Sequence, residues 1–430
     1  MTPARNSCHK KEKLRVLVPE GTKAALSFCV VENDPVIADL TRQLLEAAGH
    51  RVRVFISSVE ALKAIPEHKP DVVISDIMMP EMDGFTLCEK LRSLPELFDT
   101  KLVILSAKAY DYDRERARSL GALGFIPKPL NPEIFVNQVM ACISEQFTVR
   151  YWGVRGTLPV PGQKSLRYGG NTSCISMEFP RQLNFVFDAG SGIKELSDHI
   201  MARRGGKWSA KMFISHPHWD HINAIPYFVP MYIPSNEFEI IGGRHGDKTM
   251  RELVSAQMDD VYFPIILKEM GARIYFREIG AQSTTFGKVE VQSLMLSHPG
   301  LCLGYRVNFN GKSFCYITDN EIYPEDTPQH NASYENELAD FMRGADVALM
   351  DTCYFDDEYR RKINWGHSAV SEVMRIAHAA EVKEVQLFHH DPDQSDDDID
   401  RKLNVAQEKL AKLGSKTICS APQEGTSRQL

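Results

Sequence analysis

The feature that most constrains this chain is a cluster of metal-binding side chains that directly follows an apolar run. The run at 211–215 (KMFIS) is typical of a buried strand, and His216, His218, Asp220 and His221 (HPHWDH) follow it at once. Imidazole and carboxylate groups are the ligands that zinc, manganese and iron bind in proteins. Burying so many polar groups without a ligand is costly. The cluster therefore favours a metal site over the alternative, a histidine-rich surface loop.

Further candidate ligands occur at the ends of later strand-like runs. His298 follows VQSLMLS, Asp319 follows SFCYIT, and the pair His389 and His390 follows VQLF. Strands of one sandwich can deliver such side chains to a shared rim. We expect one of His389 and His390 to be a ligand and the other a neighbour, and His389 is favoured because it directly follows its strand. For His298 alone, a structural strand-end histidine is the alternative.

The first third of the chain alternates apolar strands with helical patterns from residue 27 to 147, which predicts a doubly wound parallel sheet. In such a sheet the functional groups gather at the carboxyl ends of the strands. Mg²⁺ prefers a few carboxylates together with water and phosphate oxygens. The polar residues at these strand ends are Glu32, Asn33 and Asp34 after the first strand, Asp76 after the third, Ser106 after the fourth and Lys128 after the fifth.

Residues 27–147 resemble the CheY-like receiver domain of response regulators. The resemblance implies that Asp76 accepts a phosphoryl group from a sensor histidine kinase and that Lys128 binds the phosphate. It also implies that Ser106 is the switch hydroxyl and Phe125 the switch aromatic, with Mg²⁺ bound near Glu32, Asn33 and Asp34. The family usually has two adjacent acids where this chain has Glu32 and Asn33. We therefore expect weakened Mg²⁺ binding, with either slow phosphorylation or a partly degenerate domain.

The remainder, residues 148–430, resembles the metallo-β-lactamase superfamily on the strength of HPHWDH and the three later ligand positions. The resemblance implies an αββα sandwich with two transition-metal ions, zinc being favoured and manganese or iron remaining open. By that resemblance, one metal is held by His216, His218 and His298. The second is held by Asp220, His221 and His389, and Asp319 bridges the two.

The branch of the superfamily can be narrowed by two further motifs. A histidine at position 218 disfavours the redox diiron branch, which has glutamate there. The runs MDTCYFDDE and NWGHSAVSEVMRIA resemble the ribonuclease Z and cyclic-nucleotide phosphodiesterase branch, with Asp351 and His367 at the matching positions. The resemblance implies catalytic roles for Asp220, Asp351 and His367, the histidine protonating a leaving alkoxide or touching a phosphate oxygen. The alternative for His367 is a residue at a helix start beside Ser368.

Aromatic stretches between His221 and His298 leave two interpretations open. They cap the core, or Trp219, Tyr227 and Phe228 shape a pocket for a flat group. Asp188 and Asn171, in FDAGSG and YGGNTSC, are expected to support the metal-binding loops.

Composition limits the remaining possibilities. A net charge of −7 gives no basic footprint for nucleic acid. The nine cysteines include no CxxC pair, which is typical of free thiols in the cytoplasm. No apolar run is long enough to cross a bilayer. The basic stretch at 1–26 is expected to be a mobile tail, and the short junction SEQFTVRYWG predicts a fixed link between the domains.

The sequence thus predicts a two-component response regulator whose output domain is a two-metal phosphodiesterase. Its substrate would be a cyclic nucleotide or a similar small phosphodiester, and a homodimer is compatible with this arrangement. Two alternatives remain. One is a hydrolase of a thioester, lactone or β-lactam bond, and the other is a non-catalytic signalling or binding module with the same fold.

Overall fold

The computed structural model describes residues 25–107, 111–204 and 206–430, and these form two compact units. The first unit extends to Glu145 and includes Pro180–Gln182, and the second comprises Gln146–Phe179 and Leu183–Leu430. The boundary lies two residues before the expected one. The reason is that Phe147 is fully buried in the core of the second unit and exchanges backbone hydrogen bonds with Leu430. The tail expected at 1–26 lies almost wholly outside the described residues.

The first unit is a five-stranded parallel sheet with helices packed on both faces, which confirms the doubly wound fold. The elements are β1 (Ser27–Val31), α1 (Pro35–Ala47), β2 (Arg51–Phe55), α2 (Ser58–His68), β3 (Val72–Asp76), α3 (Gly84–Arg92), β4 (Lys101–Ser106), α4 (Asp111–Ser119), β5 (Ala122–Pro127) and α5 (Phe135–Ile143). The strand order in the sheet is β2-β1-β3-β4-β5. The last helix ends at Ile143 because Ser144 adopts an extended conformation.

The second unit is built on two seven-stranded sheets of mixed direction. Its strands are β6 (Thr148–Gly153), β7 (Cys174–Glu178), β8 (Asn184–Phe187), β9 (Ala210–Phe213), β10 (Glu237–Gly242), β11 (Arg273–Glu278), β12 (Ser283–Phe286), β13 (Val289–Met295), β14 (Leu303–Phe309), β15 (Lys312–Ile317), β16 (Val347–Asp351), β17 (Glu384–Phe388), β18 (Ile418–Ser420) and β19 (Ser427–Gln429). The first sheet has the order β11-β10-β9-β8-β7-β6-β19, and the second has the order β12-β13-β14-β15-β16-β17-β18.

Helices of the second unit connect these strands. They are α6 (Ile193–Arg204), α7 (Trp219–Ile222), α8 (Met250–Ala256), α9 (Ala332–Met342), α10 (Asp356–Tyr359), α11 (Val370–Ala379) and α12 (Asp396–Lys412). Short 3₁₀ turns in the chain are Pro95–Leu97, Gln163–Ser165, Pro180–Gln182, Ile225–Tyr227, Val229–Tyr232 and Leu267–Glu269. The start of α12 is specified locally, because Ser395 caps it and three aspartates occupy its first turn.

The main core of the second unit lies between its two sheets and is rich in aromatic side chains. Phe187 and Phe213 of the first sheet stack at 5.1 Å, and Phe187 also lies 5.6 Å from both Tyr305 and Tyr316 of the second sheet. Burying each such ring contributes roughly 1.5–3 kcal/mol. Two further apolar clusters include residues of α6 and α8, and of α9, α11 and α12. The observed arrangement is therefore the predicted αββα sandwich.

Five strands were not predicted from the sequence. β10 (EFEIIG) and β11 (RIYFRE) extend the first sheet at one side and β19 (SRQ) at the other, while β12 (STTF) and β18 (ICS) form the two edges of the second sheet. Polar and apolar residues are mixed in the edge strand β11, where four of the six side chains are exposed. Among the described residues, no helix is long and apolar enough to span a membrane.

Candidate functional site

The phosphoacceptor position of the first unit is a buried aspartate that forms an ion pair with lysine. Asp76 ends β3, and its Oδ1 lies 2.9 Å from Lys128 Nζ, which also donates a hydrogen bond to Glu32. Burial opposes the charged lysine, but the bonds to Glu32 and Asp76 raise its pKa above the ordinary value. Burial also raises the pKa of Glu32. The structure thus brings Glu32, Asp76 and Lys128 together at one edge of the sheet.

The other predicted receiver residues surround this group in different ways. Asp34 caps α1, since its Oδ1 accepts hydrogen bonds from the backbone of Val36 and Ile37. Asn33 is half-buried next to it. Ser106 is buried at the end of β4, and Phe125 in β5 packs against a receiver core cluster. The capping role accounts for Asp34, whereas Glu32 lies with Asp76 around Lys128.

One glycine shows how closely the backbone passes the phosphoacceptor. A Cβ on Gly84 would lie 2.1 Å from the carbonyl oxygen of Asp76, a distance that no side chain tolerates. Gly84 also donates its backbone N–H to the Ile77 carbonyl at 2.9 Å. The MDG sequence therefore allows the chain to turn back against the end of β3.

In the second unit, the predicted metal ligands come together from both sheets. Four of them follow β9, at His216, at His218 and in the single turn α7. The others follow strands of the second sheet, with His298 after β13, Asp319 after β15 and His389 after β17. Strand ends of both sheets therefore supply one cluster of potential metal ligands.

The first group of ligand atoms consists of His216, His218, His298 and Asp319, whose donor atoms lie within 4.8 Å of one another. His298 Nε2 is 3.2 Å from His218 Nδ1. Asp319 Oδ2 is 3.6 Å from His216 Nε2 and 3.9 Å from His298 Nε2. Such spacings suit ligands that converge on one ion.

The second group consists of Asp220, His221 and His389. His221 Nε2 and His389 Nε2 both lie 3.1 Å from Asp319 Oδ1, and they lie 3.1 and 3.2 Å from Asp220 Oδ2. Asp319 therefore presents one oxygen to each group, which is the geometry expected of a bridging carboxylate. His389 rather than His390 belongs to this group. His390 contacts the buried Lys402, whose Nζ is 3.4 Å from its Nδ1.

A buried carboxylate orients one of these histidines. Asp188 Oδ2 accepts a hydrogen bond from His221 Nδ1 at 2.7 Å, and it also accepts from the hydroxyls of Ser215 and Tyr316 at 2.7 Å. His298 Nδ1 is similarly directed to the Gly366 carbonyl at 2.9 Å. Partners of this kind fix the ring orientation and the tautomer of a ligand histidine. The expectation that Asp188 supports a metal loop agrees with this contact.

Three residues of the candidate metal site have strained backbone conformations. Asp188, Asp319 and His389 have φ values of 57°, 37° and 57°, in the left-handed region that side chains rarely adopt. Close packing accompanies the strain, since a Cβ on Gly156 would lie 2.2 Å from His389 Cε1. The fold therefore holds these side chains in positions that local preference alone would not select.

The donor set fits divalent transition-metal ions. His216 Nε2 is buried and forms no hydrogen bond within the described part of the chain, and burial holds the pKa of His216 well below its ordinary value. A neutral imidazole with a free buried nitrogen is what a metal ion requires. Burial opposes ionisation of Asp319, but the His389, His221 and His216 rings keep its pKa well below the usual range. Two carboxylates among five histidines are therefore arranged to attract cations.

A histidine–aspartate pair lies beside the two groups of candidate ligands. His367 Nδ1 lies 2.7 Å from Asp351 Oδ2, and Asp351 Oδ1 accepts the Cys353 N–H at 2.9 Å. His367 precedes α11 by three residues, and its ring stacks on His389 at 4.9 Å. Burial opposes its charge, but Asp351 raises the pKa of His367 to about 9. The structure thus places Asp351 and His367 together next to the candidate ligands.

His367 and several of the candidate ligands line a cavity of about 470 Å³, whose walls also contain residues that the sequence did not single out. Tyr354, Lys362 and Trp365 line it, whereas Trp219, Tyr227 and Phe228 do not. Phe228 is buried in the core, which agrees with the core-cap interpretation for that residue. The run RRKINWGHS could have drawn attention, since a lysine and a tryptophan precede His367 there by five and two positions.

Comparisons with known families agree with this division. A family profile described as a response regulator receiver domain matches residues 28–140, and one described as a beta-lactamase superfamily domain matches residues 184–390. The response regulator GtcR of Aneurinibacillus migulanus is 35% identical over 121 residues, which are 28% of this chain and 49% of GtcR. The polar-differentiation response regulator DivK of Brucella ovis is 30% identical over 119 residues, 28% of this chain and 97% of DivK.

The chain spans about half the length of several curated relatives, between 47% and 54%. Among solved structures, the metallo-beta-lactamase fold protein YhfI from Bacillus subtilis is 18% identical with a TM-score of 0.49. That match covers 66% of this chain and all of YhfI. The receiver profile, the near-complete match to DivK and the second profile lead to one conclusion: the chain belongs to the response-regulator family through its receiver domain and carries a beta-lactamase superfamily domain as its second unit.

Proposed function

We propose that this response regulator has a metal-dependent phosphodiesterase as its output domain, acting on a cyclic nucleotide or a similar small phosphodiester. The observation that carries the proposal is the Asp351–His367 pair beside the two ligand groups. Hydrolysis of a phosphodiester releases a poorly stabilised alkoxide, which needs a proton donor. His367 faces the same cavity as the candidate metal ligands.

Two transition-metal ions, with zinc favoured and manganese or iron as alternatives, would be held by seven residues. His216, His218 and His298 would hold one, Asp220, His221 and His389 the other, and Asp319 would bridge them. When bound, such ions act as Lewis acids that stabilise charge on the attacking and leaving oxygens of a displacement. In the first unit, Mg²⁺ would lie beside Glu32, Asn33 and Asp76.

The protein side chains would divide the remaining work. Asp351 holds His367 through Nδ1, so that Nε2 is the ring nitrogen left to give a proton to the departing oxygen. Asp220 accepts the backbone N–H of Thr157 at 2.7 Å, which fixes its carboxylate at the cavity. We propose that this carboxylate also orients the attacking water.

The receiver would supply regulation. We propose that a sensor histidine kinase is the phosphoryl donor and Asp76 the acceptor, with Lys128 neutralising the added charge. A phosphoryl group brings about −1.5 to −2 charges, which Lys128 and the switch residues Ser106 and Phe125 would respond to. The half-buried amide of Asn33 in place of an acid would make Mg²⁺ binding weak, so that the modification forms slowly.

The test is a hydrolysis panel with purified full-length protein loaded with zinc, manganese or iron. It compares bis-p-nitrophenyl phosphate, cyclic mononucleotides, cyclic dinucleotides, a lactone and a thioester. Turnover of at least one phosphodiester is expected, together with about two metal ions per chain by elemental analysis. Turnover of the acyl substrates alone, or of no compound by protein that holds both ions, would contradict the proposal.

A further inference from the structure

The loop at 360–366, between α10 and α11, forms one wall of the cavity. Lys362 and Trp365 of this loop line the cavity, and Trp365 is 60% exposed. Among the residues the structure describes, no other lysine or arginine lines the cavity, whereas four aspartates do, namely Asp220, Asp319, Asp391 and Asp393. Both loop side chains lie outside the ligand groups and outside the Asp351–His367 pair, so the proposed chemistry assigns them no task.

Lys362 is held in place by an acid and an aromatic ring. Its Nζ lies 2.9 Å from Asp391 Oδ2, 4.2 Å from the centre of the Tyr354 ring and 5.8 Å from that of Trp365. Burial opposes its charge, but the bond to Asp391 raises the pKa of Lys362 above its ordinary value. An ammonium group has three N–H donors, and Asp391 uses one. The remaining donors can therefore bind oxygens of a ligand without breaking the ion pair.

The loop is anchored rather than loose. The carboxylate of Glu321, which is 1% exposed, accepts hydrogen bonds from the Tyr359 hydroxyl at 2.8 Å and from the backbone N–H groups of Asn364 and Gly366 at 2.8 and 2.7 Å. Glu321 follows Asp319 by two residues, so the anchor is continuous with the metal-ligand cluster. A side chain on such a loop is pre-organised, which lowers the entropy cost of binding a ligand.

Tyr354 sets the distance between this loop and the reacting region. Its ring centre is 5.9 Å from that of His367 and 4.2 Å from Lys362 Nζ. Lys362 and His367 are therefore both neighbours of the Tyr354 ring. A ligand bound by Lys362 can thus place its leaving oxygen next to His367. Trp365, beyond Lys362, offers a flat exposed face on which a base can stack.

We propose that Lys362 and Trp365 form a recognition subsite for the nucleotide part of the substrate, Lys362 binding an anionic oxygen and Trp365 stacking on the base. This inference rests on the proposed phosphodiesterase function and narrows it to nucleotide substrates. Asp391 is a positioning residue for Lys362, and Glu321 is a positioning residue for the loop. Specificity thus resides in a loop that is separate from the metal ligands.

The experiment measures binding to zinc-loaded full-length protein by calorimetry, with three probes. Adenosine 5′-monophosphate has both the anion and the base, ribose 5-phosphate lacks the base, and adenosine lacks the anion. The natural protein should bind the nucleotide at least tenfold more tightly than either fragment. Lys362→Met should weaken nucleotide binding about tenfold or more and so reduce the advantage of the nucleotide over adenosine. In Trp365→Leu, adenosine 5′-monophosphate should bind no more tightly than ribose 5-phosphate.

Two matched controls separate the subsite from general surface effects. Arg361→Met removes the neighbouring cation, and Tyr262→Leu removes an aromatic side chain that is 80% exposed; neither residue lines the cavity. Both controls should bind all three probes as the natural protein does. Equal loss in the controls, or unchanged nucleotide binding in Lys362→Met and Trp365→Leu, would overturn the subsite.

The same proteins also separate this inference from the proposed function. Bis-p-nitrophenyl phosphate carries no nucleotide, so its hydrolysis reports on the metal site. If it is hydrolysed while Lys362→Met and Trp365→Leu bind the nucleotide as the natural protein does, the subsite is wrong and the enzyme assignment remains. If nucleotide binding depends on both residues but no phosphodiester is hydrolysed, the subsite stands and the catalytic proposal fails. A metal-loaded protein that binds no nucleotide at millimolar concentration also overturns the subsite.

Discussion

Replacing Asp188 by asparagine should weaken binding of the second metal ion while leaving the fold intact. Asp188 Oδ2 accepts from three donors, namely His221 Nδ1 and the hydroxyls of Ser215 and Tyr316, each at 2.7 Å. Asp188 Oδ1 accepts the Ser215 N–H at 2.7 Å. In Asp188→Asn, the amide oxygen can keep the bond to the Ser215 backbone, and the NH₂ group then replaces the oxygen that faces the three donors.

The magnitude follows from counting these partners. The two hydroxyls can rotate to accept from the NH₂ group, but an amide has only two N–H donors for three neighbours. One bond is therefore lost, at a cost of about 1 kcal/mol, and loss of the carboxylate charge brings the total to roughly 1–3 kcal/mol. His221 can accept at Nδ1 only as the tautomer that carries its proton on Nε2. Because Nε2 faces Asp220 and Asp319, that proton occupies the position of the metal bond.

We expect the affinity of Asp188→Asn for its second zinc ion to fall by about 10–100-fold, while the first ion is retained. Titration against a chromophoric chelator measures both constants, and thermal unfolding measures stability. Tyr316→Phe is the matched control, since it removes one bond to the same oxygen and keeps the carboxylate. Tyr316→Phe should lower the free energy of unfolding by about 1 kcal/mol and leave both zinc dissociation constants within about threefold of those of the natural protein. Two ions bound by Asp188→Asn with unchanged affinity would refute the tautomer argument.

Three other predictions address separate sites. His367→Ala should lower phosphodiester turnover by roughly 10²–10⁴ with unchanged metal content, and full activity in initial-rate assays would contradict the proton-donor role. Asp76→Ala should abolish the labelling by acetyl phosphate expected of the natural protein, and a persisting label would place the acceptor elsewhere. Burial raises the pKa of Glu424 to about 7, so the folded chain holds a proton that the unfolded chain releases near pH 4.5. The unfolding free energy should therefore fall by roughly 3 kcal/mol as the pH rises from about 4.5 to about 7, and Glu424→Gln should flatten that slope in denaturant titrations.

The parts of this protein that the sequence predicted share one physical property. Strands such as β1 and β16 can be recognised in the sequence because buried parallel strands are continuous apolar runs ended by polar residues. Ligand positions such as His298 and Asp319 were predictable for the same reason, since a polar side chain directly after a buried strand must lie at a sheet edge. Edge strands such as β11 lack the continuous apolar run and were missed.

Residues whose role depends on long-range contacts could not be assigned in this way. Lys362 and Trp365 lie in a loop with no periodic pattern, and their place at the cavity depends on Glu321 and Asp391, which are 41 and 29 positions away from Lys362. Asp34 is the opposite case, because the sequence suggested a role in the site and the structure shows a local structural role. Asp34 follows β1 as Glu32 and Asn33 do, but its carboxylate caps the start of α1.

The two kinds of residue also have different freedom to change. The candidate metal ligands stand at the ends of strands whose other side chains fill the core between the sheets, so moving one disturbs packing. His367, Lys362 and Trp365 lie instead in or beside one anchored loop, where a substitution alters contacts with a ligand but little of the core. The candidate metal ligands and the anchored loop are connected by the hydrogen bond between the Gly366 carbonyl and His298 Nδ1. Changes in the loop should therefore alter substrate preference first, and affect metal binding only when they shift Gly366 and release His298.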